Sequence, residues 1–196
     1  RYLMNTVTEN LRLFPPRPSF YISINVAAEH FKTLNIIDDI RQIWLPAHPM
    51  PSLMLELTER TALSAIQYDQ IRTLKDMGIM LAIDDFGTGY SNLHNLHALN
   101  VDILKIDKTF VDTLTTNNTS HLIAEHIIEM ARGLRLKTIA EGVETPEQVS
   151  WLYKRGVQYC QGWLFAKAMP AREFMQWLAN APAPANVPQP PRHAEI

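Results

Sequence analysis

The 196-residue sequence predicts an α/β chain that builds most of a parallel-stranded (β/α) barrel. Two observations carry that expectation. Six apolar runs of strand length alternate with stretches of helical periodicity, and such alternation implies parallel pairing through right-handed crossovers. The second observation is what stands at the strand ends. Asn25, Glu56, Asp84 with Asp85, Lys105 with Asp107, Glu141 and Gln161 each lie at or just past the C-terminal end of a strand. In a parallel sheet those ends share one pole. Polar groups converging there from nearly every strand suit a barrel enzyme, whereas an open doubly wound sheet gathers its site at one switch point. Six strands is two short of a closed eight-stranded barrel.

Each element has its own local signal. Residues 1–14 space Tyr2, Leu3, Val7, Leu11 and Phe14 at helical intervals and stop before Pro15-Pro16. Residues 19–26 alternate Phe20, Ile22, Ile24 and Val26 with polar neighbours, which is a strand. Residues 27–45 read as one helix ended by Pro46, and 53–58 as a strand. Residues 64–77 form a helix closed by Gly78 at C′, followed by a strand over 79–84. A short helix over 91–99 leads to a strand over 101–106, then a helix over 119–134 and a strand over 137–140. Thr145-Pro-Glu-Gln148 is a capped start with proline at N1, opening a helix to Arg155. Gly156 precedes a strand over 157–160, and the last helix covers 170–178. From Ala181 the chain has five prolines in sixteen residues, so the expected division is a domain over 1–180 and an extended, disordered tail over 181–196.

Composition narrows the function classes. Eighteen basic against twenty acidic residues leave a net charge of −2, so duplex DNA or RNA is not an expected partner. One cysteine, Cys160, excludes an internal disulfide and fits a reducing compartment. No apolar run reaches membrane-spanning length and no signal peptide is visible, so the chain itself reads as cytoplasmic.

The stretch Leu81-Ala-Ile-Asp-Asp-Phe-Gly-Thr-Gly-Tyr90 organises the chemistry. An apolar run stops at two adjacent aspartates, which are costly at a buried strand end unless a cation sits on them. Glu56, the Asp84–Asp85 pair and Glu141, with the amide oxygen of Asn25, make an oxygen-rich set suited to magnesium or manganese. Lys105 and Asp107 are two apart on a strand and so should face the same way. A lysine among carboxylates can orient or deprotonate a water, or neutralise an anionic substrate. Paired cations at such a set would support phosphodiester hydrolysis.

Asp84-Asp-Phe-Gly-Thr-Gly-Tyr-Ser91 resembles the signature loop of the EAL domains, phosphodiesterases of the bacterial messenger cyclic di-GMP. Ile22-Ser-Ile-Asn-Val-Ala27, Leu55-Glu-Leu-Thr-Glu59, Leu104-Lys-Ile-Asp-Lys-Thr-Phe-Val111, Ile139-Ala-Glu-Gly-Val-Glu-Thr145 and Gln161-Gly-Trp-Leu-Phe165 are similar to the family's later blocks, in order. The resemblance covers the chain to about Asn180 and implies a modified (β/α)8 TIM-like barrel with its site at the C-terminal pole. It implies Asn25, Glu56, Asp84 and Glu141 as metal ligands and Asp85 as ligand of a second ion. It places Lys105 beside the nucleophilic water, Asp107 as the acidic partner near that lysine, and Gln161 as the residue completing the site. Glu59 is implied to brace the Asp84–Tyr90 loop. The implied cofactors are two Mg2+ or Mn2+ ions, and the implied reaction opens one phosphodiester of cyclic di-GMP to the linear dinucleotide. An alternative in a different class is an inactive domain that senses the dinucleotide or docks a partner. A homodimer and an upstream sensor or membrane segment are the further partners the family suggests.

The departures are informative. No Glu-Ala-Leu occurs anywhere in the sequence, although that tripeptide names the family and its glutamate is a metal ligand. The resemblance places Arg1 in the helix after that strand, so two strands, the glutamate and a phosphate-contacting arginine would precede it. Residues 1–196 alone are therefore expected to hydrolyse poorly. Asn100 and Ala168 stand where the family usually has proline. Gly87-Thr-Gly89 lacks a Walker lysine and reads as turn chemistry. His94 and His97 have no third soft ligand and read as surface or packing residues. Trp163 is taken as a core residue, and Cys160 as an inert thiol.

Overall fold

The computed structural model describes residues 1–12, 20–33, 35–47, 51–59, 61–62, 68–87, 100–115 and 121–180. Strands β1 (Tyr21–Asn25), β2 (Ser52–Thr58), β3 (Met80–Phe86), β4 (Ile103–Ile106), β5 (Lys137–Ala140) and β6 (Tyr159–Cys160) form one sheet in sequential order. Every pairing is parallel. Helices α1 (Tyr2–Leu11), α2 (Ala28–Lys32), α3 (Asn35–Asp39), α4 (Tyr68–Asp76), α5 (Lys108–Val111), α6 (His121–Gly133), α7 (Pro146–Lys154) and α8 (Ala171–Asn180) complete the described elements. The expected helix over 91–99 and the tail over 181–196 lie outside the described residues.

The strands are apolar on both faces, as a sheet covered by helices requires. One set of alternate residues, Leu53, Leu55, Leu57, Leu81, Ile83, Leu104 and Ile106, packs with Phe31, Ile40 and Leu74 from the helices. Removing such a side chain from water contributes roughly 1.5–3 kcal/mol each. The other set, Met54, Ala82, Ile103 and Ile139 with Tyr21 and Met80, forms a separate cluster on the inner face. The sheet curls until its outer strands meet side chain to side chain: Tyr21 of β1 and Tyr159 of β6 sit edge to face, 5.9 Å between ring centroids. A cavity of about 720 Å3 remains along that seam, bounded by Phe20 and Tyr159 and by Phe174 and Trp177 of α8. Phe174 stacks on Phe20 at 6.2 Å, which seats α8 there.

The structure corrects three boundaries. The single helix expected over 27–45 is segmented, because α3 runs into a π-helical turn over Ile40–Trp44 and a tight 3-10 turn over Leu45–Ala47. Ile36, Ile37, Ile40 and Trp44 are all buried along this run, and Pro46 lies inside its closing 3-10 turn, one residue before the run ends at Ala47. The fourth strand begins at Ile103 and stops at Ile106, where Asp107 caps the unforeseen helix α5. The sixth strand is reduced to Tyr159–Cys160. Among the described residues no helix is long and apolar enough to cross a membrane.

Candidate active site

On the inner face the apolar layer gives way to a polar one two residues further along each strand. Met54 is followed by Glu56, Ala82 by Asp84, Ile103 by Lys105, Ile139 by Glu141 and Tyr159 by Gln161. That spacing is the strand period of two, so each pair points to the same side. The polar layer lies at the C-terminal pole of the parallel sheet.

Adjacent aspartates should not share a face, and a bulge lets them do so. Ile83 pairs with Leu104 and Phe86 with Ile106, so three steps along β3 oppose two along β4. The extra residue is absorbed at Asp85, whose φ is +54°. Aspartate tolerates this left-handed conformation better than most residues do. The bulge re-aims the second carboxylate toward the pole. As a result, oxygens of Asp84, Asp85 and Glu141 all lie within 4.8 Å of one another.

Lys105 stands at the centre. It is 2% exposed, and its ammonium lies 2.6 Å from Glu56 Oε2, 2.6 Å from Glu141 Oε1 and 2.9 Å from Asp84 Oδ1. Burial disfavours the charged lysine, but hydrogen bonds to Glu141, Glu56 and Asp84 outweigh it and hold its pKa above the ordinary value. Burial is also the largest influence on Glu141, raising its carboxyl against the opposing pull of Lys105. Asp85 is exposed, and its carboxyl is raised by partial desolvation first, then by the charges of Asp84 and Asp107. Four carboxylates against one ammonium leave an excess of three negative charges when all are ionised. All the donors are hard oxygens. The set fits a hard divalent cation such as Mg2+ or Mn2+.

The remaining expected residues fall as follows. Asn25 is exposed at the end of β1, level with Glu56. Gln161 is exposed at the pole, its backbone tied to Ala140 O at 2.8 Å and to Val143 N at 3.0 Å. Asp107 does not ride the strand beside Lys105. It is the N-cap of α5, its Oδ1 accepting from Thr109 N at 2.9 Å. Lys105 instead meets Glu56, Asp84 and Glu141, because β4 ends one residue before Asp107. Glu59 is 8% exposed just past β2, while the Thr88–Tyr90 part of the loop it was expected to brace lies outside the described residues, as do His94 and His97. Trp163 is not a core residue. It is 65% exposed, with the Lys167 ammonium 5.1 Å from its ring centroid, and it lines a cavity of about 550 Å3 beside Glu141 and Gln161.

Lys108, Gly142 and Glu144 stand inside the motifs, yet nothing local in the sequence shows a role for them. Lys108 Nζ lies 2.8 Å from Glu144 Oε1, a partner 36 positions away that no local pattern reveals. Gln148 is read only in part from the sequence. Its Oε1 accepts from Thr145 N at 3.0 Å, completing the capping box, and from Glu144 N at 2.8 Å, while its Nε2 donates to Val111 O at 3.2 Å.

Comparison with known proteins bears on the family and the fold. The family model "EAL domain" matches residues 1–168. A probable cyclic di-GMP phosphodiesterase of Escherichia coli K12, PdeD, is 40% identical over 193 residues, covering 98% of this chain and 35% of its own length. This chain thus spans about a third of that curated relative. The EAL domain of Mycobacterium smegmatis DcpA superposes with a TM-score of 0.84 at 30% identity, covering 94% of this chain and 85% of that one. The PaMucR phosphodiesterase in complex with cyclic di-GMP superposes with a TM-score of 0.80 at 34% identity, covering 88% and 72%. The curled parallel sheet, the acidic pole and these matches together establish that the chain belongs to the EAL domain family.

Proposed function

We propose that this chain supplies most of the catalytic site of a phosphodiesterase that hydrolyses one phosphodiester bond of cyclic di-GMP to the linear dinucleotide. The observation that carries the reading is the trio Asp84, Asp85 and Glu141, with oxygens within 4.8 Å at the pole of a parallel sheet. Relatives named as phosphodiesterases of this dinucleotide support the substrate, which is a compact dianion with two guanines.

In this reading Asn25, Glu56, Asp84 and Glu141 hold one Mg2+ or Mn2+ ion and Asp85 reaches a second. A cation bound there supplies a Lewis acid for the phosphoryl oxygen and for the attacking water. Lys105, protonated through the neutral range, serves as a hydrogen-bond donor rather than a base. It neutralises charge as the phosphate enters and orients the water between Glu56 and Glu141. Gln161 and Asn25, exposed at the rim, offer amide groups to the substrate. Glu59 supports the loop after β3. Residues 1–180 are the domain, and the protein acts in the cytoplasm, where the messenger is found.

The test follows linear dinucleotide by anion-exchange chromatography, in the presence of Mg2+ or Mn2+, for residues 1–196 and for a longer protein carrying a Glu-Ala-Leu segment as well. The reading expects metal-dependent turnover by the longer protein and weak or no turnover by residues 1–196, which contain no Glu-Ala-Leu. Binding of cyclic di-GMP without turnover by the longer protein would favour a sensor instead.

A further inference from the structure

The space that Gly142 leaves free ties Lys108 to the position of Glu141. Gly142 follows Glu141 directly at φ +65°, and a Cβ built on it would lie 2.3 Å from Lys108 Cγ and 2.6 Å from Cδ. The stem of Lys108 therefore lies against the peptide that carries Glu141. Its ammonium reaches over that peptide to Glu144 Oε1 at 2.8 Å and back to Asp112 Oδ1 at 2.9 Å on its own segment. The same loop is fastened elsewhere by Glu141 N to Ile106 O at 3.0 Å and by Gln148 to Glu144 N at 2.8 Å. On its far side Gly162 does for Val143 what Gly142 does for Lys108: a Cβ there would fall 2.1 Å from Val143 O. The loops after β4, β5 and β6 are thus stacked, through Lys108 on Gly142, next to Glu141, and through Val143 on Gly162, next to Gln161.

We propose that Lys108 is a positioning residue, pressing its stem on Gly142 and latching Glu144 so that the Glu141 carboxylate stays aimed at Asp84 and Asp85. This rests on the reading of Glu141 as a cation ligand. Groups that orient metal ligands typically change metal affinity by 10–100-fold when lost. The competing account is a solvent-exposed ion pair, which contributes little and has no bearing on the site. Electrostatics separates the accounts further. Lys108 is positive, so deleting its charge near a cation site should by itself tighten cation binding. A latch predicts the opposite sign.

The experiment is a Mn2+ titration of residues 1–196, read by the electron paramagnetic resonance of free Mn2+, with thermal melts to check folding. Lys108→Ala is expected to weaken Mn2+ binding about tenfold, and Lys108→Arg to restore it. Lys108→Met, which keeps most of the stem, should bind more tightly than Lys108→Ala. Gly142→Ala should also weaken binding. In the double variant Lys108→Ala with Gly142→Ala the stem no longer occupies the place of the new Cβ, so the combined loss should be smaller than the product of the two. Wild-type or tighter binding by Lys108→Ala overturns the latch, as does a double variant whose losses multiply. Should Lys108→Ala fail to fold, Lys108→Met against wild type decides: affinity equal to or above wild type overturns the proposal. Glu141→Gln serves as the separate control. If it leaves Mn2+ binding unchanged, the cation site itself is misassigned rather than the latch.

Discussion

Replacing Lys105 by methionine removes the ammonium that Glu56, Asp84 and Glu141 share while keeping most of the buried stem. At 2% exposure the lysine is largely withdrawn from bulk water, as is Glu56 at 5%. Removing one partner of a buried ion pair costs about 3–5 kcal/mol, because the remaining charge is left without compensation. Three carboxylates lose their counter-ion here, so the upper half of that range is expected in a chelator at pH 8, a large part of the 5–15 kcal/mol typical of a domain. The pH dependence has a definite sign. Lys105 has a folded pKa raised above its unfolded value of about 10.4, so its contribution is complete below that pH and fades only above it. Glu141 and Asp85 are carboxyls with raised folded pKa values, so their effect runs the other way. Stability falls as pH rises from the ordinary carboxylate range, near 4, through their raised values. Without the ammonium those values climb further, so the deficit of Lys105→Met should shrink between pH 8 and pH 5. Urea unfolding followed by circular dichroism, with EDTA or with Mn2+, measures both effects. Mn2+ at a hundred times its Kd should return about 2.7 kcal/mol. A variant as stable as wild type at pH 8 in EDTA would refute the arrangement of three carboxylates around one buried cation.

Other perturbations probe the elements that place the site. At Asp85, φ +54° favours residues that accept the left-handed region, so Asp85→Gly should keep the fold's stability while Asp85→Val loses about 1–2 kcal/mol in a chemical denaturation series. Asn100 sits at φ +46°, which the proline ring cannot reach, so Asn100→Pro should lower the melting temperature while Asn100→Gly should be tolerated. Gln148→Leu leaves Glu144 N, Thr145 N and Val111 O without their partner and should cost several kcal/mol at about 1–3 kcal/mol per orphaned group, measured by urea unfolding.

The sequence was most legible where local chemistry and geometry coincide. The run Leu81–Asp84, the glycine stop at Gly78 and the Thr145–Gln148 cap all act over a few residues, and the structure carries them. The polar residues at the strand ends were visible for the same reason, since a period of two needs no long-range information. What stayed hidden depends on how segments meet. The bulge at Asp85 arises from the register between β3 and β4, so nothing in Asp84-Asp85 announces that both carboxylates will share a pole. Asp107 looks like a strand residue two places beyond Lys105, but Thr109 captures its side chain as a helix cap. Lys108 and Glu144 meet across the crossover from β4 to β5, and Trp163 reaches the surface because the chain after Gln161 turns over the rim. The helix over 27–45 broke up because burying Ile36, Ile37, Ile40 and Trp44 together outweighed regular 3.6-residue spacing.

The assignment of Asp84 as a cation ligand of a hydrolytic site at the pole is the central claim, and hydrolysis in oxygen-18 water, compared between wild type and an Asp84 variant, tests it most directly. A longer protein carrying residues 1–196 together with a Glu-Ala-Leu segment, supplied with Mg2+ and cyclic di-GMP, should yield linear dinucleotide with one heavy oxygen on its terminal phosphate. Its Asp84→Asn variant should lose most of that turnover. Equal rates from the two proteins, or product without the label, would contradict the account.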